Sequence, residues 1–307
     1  MGENNGLAEK GNRTRRIFGG CAVLFLLVAG FFLLVAVIPF ITPDTDGITL
    51  GRDKIAVVEV FGPIIESDEL TKQIEKYAKE DSIKGILIHI DTPGGGVAPS
   101  QEIYEAIIKA RKKKPVVSSM ASVAASGGYY IAVATDRIVS NPGTITGSIG
   151  VIMGFMDPGG LMEKLGLDTI TVKSGKFKDI GTPGRGFSEE DRKVMQEVID
   201  DVFEQFMEAI AVGRSMDMEE VRKLSDGRIY SGRMAKENGM VDELGTFRDA
   251  VKILSEMANI KGDPVIVKEE EDLTFLKELL SEELGFLGEL KKPAATRPGL
   301  HFLWTGY

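Results

Sequence analysis

Ile17 to Ile41 contains no charged residue, and its length exceeds the roughly 20 apolar residues that span a bilayer core of about 30 Å. Such a run folds as a membrane-crossing helix, and the rest of the chain must then build its core without it. A removable signal sequence has a shorter apolar region, about 7 to 15 residues, followed by a small-x-small site that is not found here. Lys10, Arg13, Arg15 and Arg16 precede the run, and Asp44 and Asp46 follow it. The positive-inside rule therefore predicts a cytoplasmic amino terminus and an extracytoplasmic domain after Thr42, with the chain held as a single-pass protein of the cytoplasmic membrane.

Beyond the linker Thr42 to Gly47, strand-like runs at Ile55–Phe61, Lys84–Ile90, Pro115–Ser119 and Thr169–Lys173 alternate with helical stretches at Asp68–Lys79 and Ser100–Lys112. That order predicts an α/β domain of repeated strand-helix units. Ser188 to Arg214 reads as a long amphipathic helix opened by a Ser188-Glu189-Glu190-Asp191 cap, with Val194, Met195, Val198, Ile199, Val202, Phe206 and Ile210 on one side. Core packing explains that stripe, although a contact with another copy would use the same residues. The expected organisation is a tail (1–16), a transmembrane helix (17–41), a linker (42–53), a catalytic domain (54–268) and a carboxyl-terminal tail (269–307). That tail carries an acidic run, a helical stretch from Leu273 to Leu290 and an apolar end around His301-Phe302-Leu303-Trp304.

The chain has 307 residues, 43% of them hydrophobic, enough for one sizeable domain plus a membrane segment. Its net charge of −9, without a basic face outside the amino-terminal tail, argues against nucleic acid as a partner. The single cysteine, Cys21, has no internal disulfide partner.

Ala124-Ala125-Ser126-Gly127-Gly128-Tyr129-Tyr130 surrounds a serine with small residues. A nucleophilic serine needs close approach by substrate backbone, donors for the oxyanion and a base, and small neighbours supply the first two. A tight turn with an incidental serine is the plain alternative. A Ser-His-Asp triad is hard to build, because the chain has only two histidines. His89 lies inside the apolar run Gly85 to Ile90 and reads as a core residue, and His301 falls in the last seven residues. The G-x-S-x-G elbow also fails, since position 124 is alanine.

A lysine base remains. Lys173, Lys176 and Lys178 lie together in Val172 to Ile180. A lysine acting as a base near neutrality must lose about three units from a reference pKa of about 10.4, about 4 kcal/mol, which requires burial away from carboxylates. Composition does not choose among the three, and a solvated surface lysine is the ordinary role of each. Upstream, Asp91-Thr92-Pro93-Gly94-Gly95-Gly96 closes a buried strand and leads into a helix whose apolar stripe is Ile103, Ala106, Ile107 and Ala110. Its glycines allow a substrate or oxyanion to approach backbone N–H groups. A nucleotide cradle is poorly supported, because neither G-x-x-x-x-G-K-[ST] nor G-x-G-x-x-G occurs at this point.

Five ordered motifs give the chain, from about Lys54 to Ile266, a family resemblance: DTPGGG (Asp91–Gly96), AASGGYYIA (Ala124–Ala132), TGSIGVI (Thr146–Ile152), KSGKFKDI (Lys173–Ile180) and GRIYSGRMAKENGMVDELG (Gly227–Gly245). The chain resembles the short-form signal peptide peptidases of the SppA type, serine-lysine proteases on a Clp/crotonase-like fold. The resemblance implies Ser126 as nucleophile, Lys178 as general base, Ser148 as a hydrogen-bonding support for that lysine, and Gly95 and Gly127 as the oxyanion hole. Thr92 stands where many relatives carry serine. Also implied are signal-peptide remnants and other hydrophobic peptides as substrates, a homo-oligomeric ring, and no metal or other cofactor. A membrane-associated Ser-Lys protease with one specific hydrophobic protein substrate is the runner-up. A crotonase-like acyl-CoA enzyme would leave the serine-lysine pairing and the anchor unexplained, and a catalytically silent scaffold would leave the pairing without a use.

Overall fold

The computed structural model describes residues 53–268 and 301–303. The expected transmembrane helix Ile17–Ile41, the segments on either side of it and the tail from 269 to 300 lie outside the described residues. Among the described residues, no helix is long and apolar enough to cross a membrane.

Strands β1 (Lys54–Phe61), β2 (Ile83–Thr92) and β4 (Val116–Ala125) are near-continuous apolar runs, and they form the parallel centre of an eight-stranded sheet. Such runs suit strands covered on both faces. Register sets Val57 beside Leu87 and Leu87 beside Val117. On that face Ile55, Val57, Leu87 and Val117 pack with Ala250 and Leu254 of the helix Phe247–Met257. The alternate residues, among them Val58, Val60, Ile86, Ile88 and Ile90, enter a larger core with Ile74 of the helix Asp68–Lys79 and with Ile103 and Ile107 of the helix Val97–Arg111. The sheet continues from β4 through β6 (Ile145–Gly147) to the antiparallel β7 (Ile229–Ser231), and from β1 to β9 (Val265–Lys268). Beside β4, β5 (Arg137–Ser140) also pairs with the short β8 (Glu243–Leu244).

The chain leaves β2 through Pro93 into a three-residue strand, β3 (Gly94–Gly96), which pairs antiparallel with β10 (His301–Leu303). Pairing between β2 and β4 shifts register between Ile90 and Thr92, where the β4 partners jump from Met120 to Ala124. Asp91 fills this irregularity, its Oδ1 accepting the Val123 amide at 3.0 Å. The carboxyl ends of β2, β4 and β6 thereby converge, the usual place for a site in a sheet of this kind.

Three sequence expectations are corrected. The third strand extends beyond Ser119 to Ala125, delivering the chain directly to Ser126. The expected strand over Thr169–Lys173 is absent: the segment has no regular structure, and Ile170 and Val172 are 91% and 97% exposed. Alternating apolar residues make a strand only where a neighbour pairs their backbone, and none does so here. The helix Glu189–Arg214 does begin with the Ser188–Asp191 capping box, but its stripe divides. Val202, Phe206 and Ile210 are buried, whereas Val198 is exposed and Val194, Met195 and Ile199 are only partly covered.

Candidate active site

Ser126 stands between β4 and the short helix Gly127–Ala132, with φ 52° and ψ −112°. Backbone at positive φ is costly for a residue with a side chain and persists where its surroundings over-determine it. Here the Ser126 amide donates to the Gly147 carbonyl at 2.7 Å, and its carbonyl accepts the Tyr130 amide at 2.9 Å. Its hydroxyl does not cap the helix that follows. The residue is 1% exposed and lines a cavity of ≈530 Å³ together with Ser148, Ile149, Val151, Phe203 and Asp226. Ser148 also holds a positive φ, 51°, and its amide donates to Arg228 O at 2.8 Å. The sequence-predicted nucleophile and its supporting serine therefore face one cavity.

The glycine strand sits against this turn. Thr92 Oγ1 accepts the Gly94 amide at 3.1 Å and donates to Gly62 O, a role that a serine hydroxyl could also fill. Gly94 has φ +100°, and a Cβ there would meet the Gly127 nitrogen at 2.7 Å. A Cβ on Gly127 would meet Ser100 Oγ at 2.7 Å and the Gly95 nitrogen at 3.3 Å. Only glycines allow the two backbones to approach this closely, and the approach brings the Gly95 and Gly127 amides to the same place.

Lys178 is not brought to Ser126 within one chain. It is exposed, it is absent from the lining of the Ser126 cavity, and it belongs to the irregular segment between Asp168 and Phe187. The three lysines of that segment nevertheless differ. Lys173 Nζ donates to both carboxylate oxygens of Asp179 at 2.8 Å, and Lys176 pairs with Glu190. Lys178 alone of the three has no carboxylate partner among the described residues. Buried Asp179 also receives Arg185 Nε at 2.9 Å, and Arg185 reaches buried Asp191 at 2.7 Å. The Lys173 hydrogen bond and then the Arg185 charge hold Asp179 below the ordinary carboxylate range. Hydrogen bonds from Arg185 and Ser188 do the same for Asp191. This network was not foreseen from sequence; the only signal for it was the recurrence of Asp and Arg around a loop rich in glycine.

His89 is half-buried, edge-on to Phe61 and Phe247 at 5.4 and 4.9 Å, with Nδ1 3.3 Å from Ser119 O. Burial lowers its pKa, so the ring is held neutral as a packing residue. The expected core role is met only in part, because the ring packs between two aromatic side chains but stays half-covered. His301 enters β10 opposite Gly96.

The sequence matches peptidase family S49 over residues 108–261 and the Clp protease family over residues 60–141. It is 37% identical to "Putative signal peptide peptidase SppA" of Enterococcus faecium, covering 84% of this chain and 79% of that protein. It is 40% identical to "Putative protease slr0021" of Synechocystis, covering 73% of this chain and 81% of that protein. "Serine protease SPPA, chloroplastic" of Arabidopsis thaliana is 32% identical over 70% of this chain and 34% of its own length. With a serine held at the convergent strand ends beside two glycine amides, and a match across half the chain, the protein belongs to peptidase family S49 and is a serine protease of the SppA type.

Proposed function

We propose that the protein is a membrane-anchored endopeptidase that cleaves signal-peptide remnants and other hydrophobic peptides outside the cytoplasmic membrane, with Ser126 and Lys178 as its catalytic dyad. The observation that carries this reading is the strained Ser126 turn, seated beside the Gly95 and Gly127 amides. Neutral Lys178 accepts the Ser126 Oγ proton as Oγ attacks the peptide carbonyl carbon, and the two amides receive the developing oxyanion. The intermediate collapses to an acyl-serine, and the departing amine takes its proton from Lys178. Water then attacks the ester carbonyl, giving a proton to Lys178, and the second intermediate collapses to release the acid as Ser126 Oγ takes that proton back from Lys178. Ser148 orients the lysine by hydrogen bonding.

What favours Lys178 over its neighbours is its lack of a carboxylate partner, whereas the Lys173 and Lys176 ammonium groups are already engaged by Asp179 and Glu190. Its exposure, together with that of Ile170 and Val172, favours a site completed by a second copy in a ring. Anchoring and topology rest on Ile17–Ile41 and its flanking charges. The test is labelling with a serine-directed fluorophosphonate and cleavage of a peptide library, comparing the unaltered protein with Ser126→Ala. Labelling elsewhere, or full cleavage by the variant, overturns the assignment. Protease added outside spheroplasts is expected to reach residues after Thr42; protection of the whole domain would reverse the topology.

A further inference from the structure

The segment that carries Lys178 folds back on itself through successive turns. Lys178 N donates to Gly175 O at 3.2 Å, Thr182 N to Asp179 O at 3.1 Å and Arg185 N to Thr182 O at 3.3 Å. These turns return Arg185 to Asp179, the residue directly after Lys178. Arg185 Nε meets Asp179 Oδ1 at 2.9 Å, while its two terminal nitrogens donate to the two carboxylate oxygens of Asp191 at 2.7 and 3.1 Å. Asp191 is 1% exposed and closes the capping box that starts the helix Glu189–Arg214. The same helix supplies Gln196, Ile199 and Phe203 to the wall of the Ser126 cavity. One guanidinium therefore ties the lysine segment to the helix that walls the serine.

We propose that Arg185 is a positioning residue for the Ser-Lys chemistry: it fixes the Lys178 segment on the helix and cancels the carboxylate charge beside Lys178, so that the base is presented unprotonated. The inference rests on the reading of Lys178 as base. Two cations, Lys173 and Arg185, balance two carboxylates, Asp179 and Asp191. Without Arg185 a single cation faces both carboxylates, and a net negative charge beside an amine favours its protonated form. A guanidinium suits this role because its planar fork holds two carboxylates at once and it keeps its charge at every working pH. The other nearby charges are committed or screened. Lys176 is taken by Glu190, and Asp157, Glu163 and Asp168, which border Arg185, are exposed to solvent. Of the carboxylates lining the Ser126 cavity, Asp200 is exposed and Asp226 is paired with Arg228.

The test follows the rate of Ser126 labelling by a serine-directed fluorophosphonate across pH, using full-length, detergent-solubilised protein. The rate rises as Lys178 loses its proton, so the midpoint of the profile reads the base. Arg185→Met is expected to raise that midpoint by about one pH unit and to slow labelling about tenfold at any pH below it. Adding Asp179→Asn to that variant leaves Lys173 against Asp191, restores the balance and should return the midpoint to its original position. A brace with a purely structural role gives a different pattern: labelling slows alike at every pH, and loss of the second partner deepens the defect. That pattern overturns the proposal, as does an Arg185→Met profile superimposable on the original. If Arg185→Met fails to fold, Asp179→Asn alone sets two cations against one carboxylate and should lower the midpoint; an unmoved midpoint there also overturns it. Lys178→Ala separates the two readings. Full labelling of Lys178→Ala sinks the base itself, whereas its loss alongside an unshifted Arg185→Met profile sinks only the role given to Arg185.

Discussion

The Ser126 amide and the Gly147 carbonyl, 2.7 Å apart, tie the strained serine turn to β6, and Gly147 itself has φ +77°. A Cβ at Gly147 would meet Tyr230 Cδ2 at 2.5 Å. Gly147→Ala should therefore cost about 1–3 kcal/mol of stability and slow fluorophosphonate labelling, since both the backbone and the Tyr230 ring must shift. Ser126→Ala should abolish labelling with little change in stability. Urea unfolding and labelling rates on the same preparations check both outcomes, and a Gly147→Ala protein with unaltered labelling would detach the turn from catalysis.

The lysines should separate by their partners. Lys178→Ala is expected to lower kcat/KM by about 10²-fold or more, as removal of a general base does. Lys176→Ala removes an exposed pair with Glu190, of a kind contributing about 0–1 kcal/mol, and a contact of its ammonium with the Phe177 ring, and should leave activity nearly unchanged. Lys173→Ala leaves Asp179 to Arg185 alone and should give an intermediate loss through displacement of the neighbouring residues. Survival of Lys178→Ala alongside loss at Lys176→Ala would identify a different base.

If each site joins Ser126 of one copy to Lys178 of the next, inactive Ser126→Ala and Lys178→Ala chains should complement each other. Random co-assembly in equal amounts is expected to restore about a quarter of the original activity. Background activity, with mixed assembly verified by mass measurement, would place both residues in one chain.

Acid should weaken the domain through Asp179 and Asp191. Both carboxyls are held below their unfolded value of about 3.9, so their contribution to stability is present above that pH and is lost as the pH falls through their folded values. Denaturation midpoints should accordingly fall below about pH 4, and less steeply in Asp191→Asn. The same acid dependence in both proteins would show that Asp191 does not carry this effect.

Much of the central sheet was legible in the order of residues. The runs around Val57, Leu87 and Val117 are apolar on both faces, and that continuity identifies strands of a covered parallel sheet before any contact is known. The Ser188–Asp191 cap was equally local, since its partners lie three residues apart. Ser126 stood out through its small neighbours, and Ser148, Gly95 and Gly127 through the resemblance of their motifs; the structure sets Ser126 and Ser148 on one cavity and the Gly95 and Gly127 backbones side by side next to Ser126.

What sequence did not reveal depends on distant partners. Thr169 to Lys173 has the composition of a strand, but a strand requires a neighbour, and Ile170 and Val172 stay exposed in the chain. The amphipathic stripe from Val194 to Ile210 is a single pattern in sequence, yet only its second half meets the core. The separate commitments of Lys173 and Lys176 were invisible, because Asp179 and Glu190 become partners only when the loop closes on itself. The pairing of Phe302 with Gly95 joins residues more than two hundred positions apart. Sequence by itself determined the central strands and the cap, since those follow from local periodicity and backbone preference, while the roles of the site residues were implied by the resemblance of the motifs. Tertiary structure decided which lysine lacks a carboxylate and which segment lies against the glycine amides, since both depend on contacts that arise only when distant parts of the chain pack together.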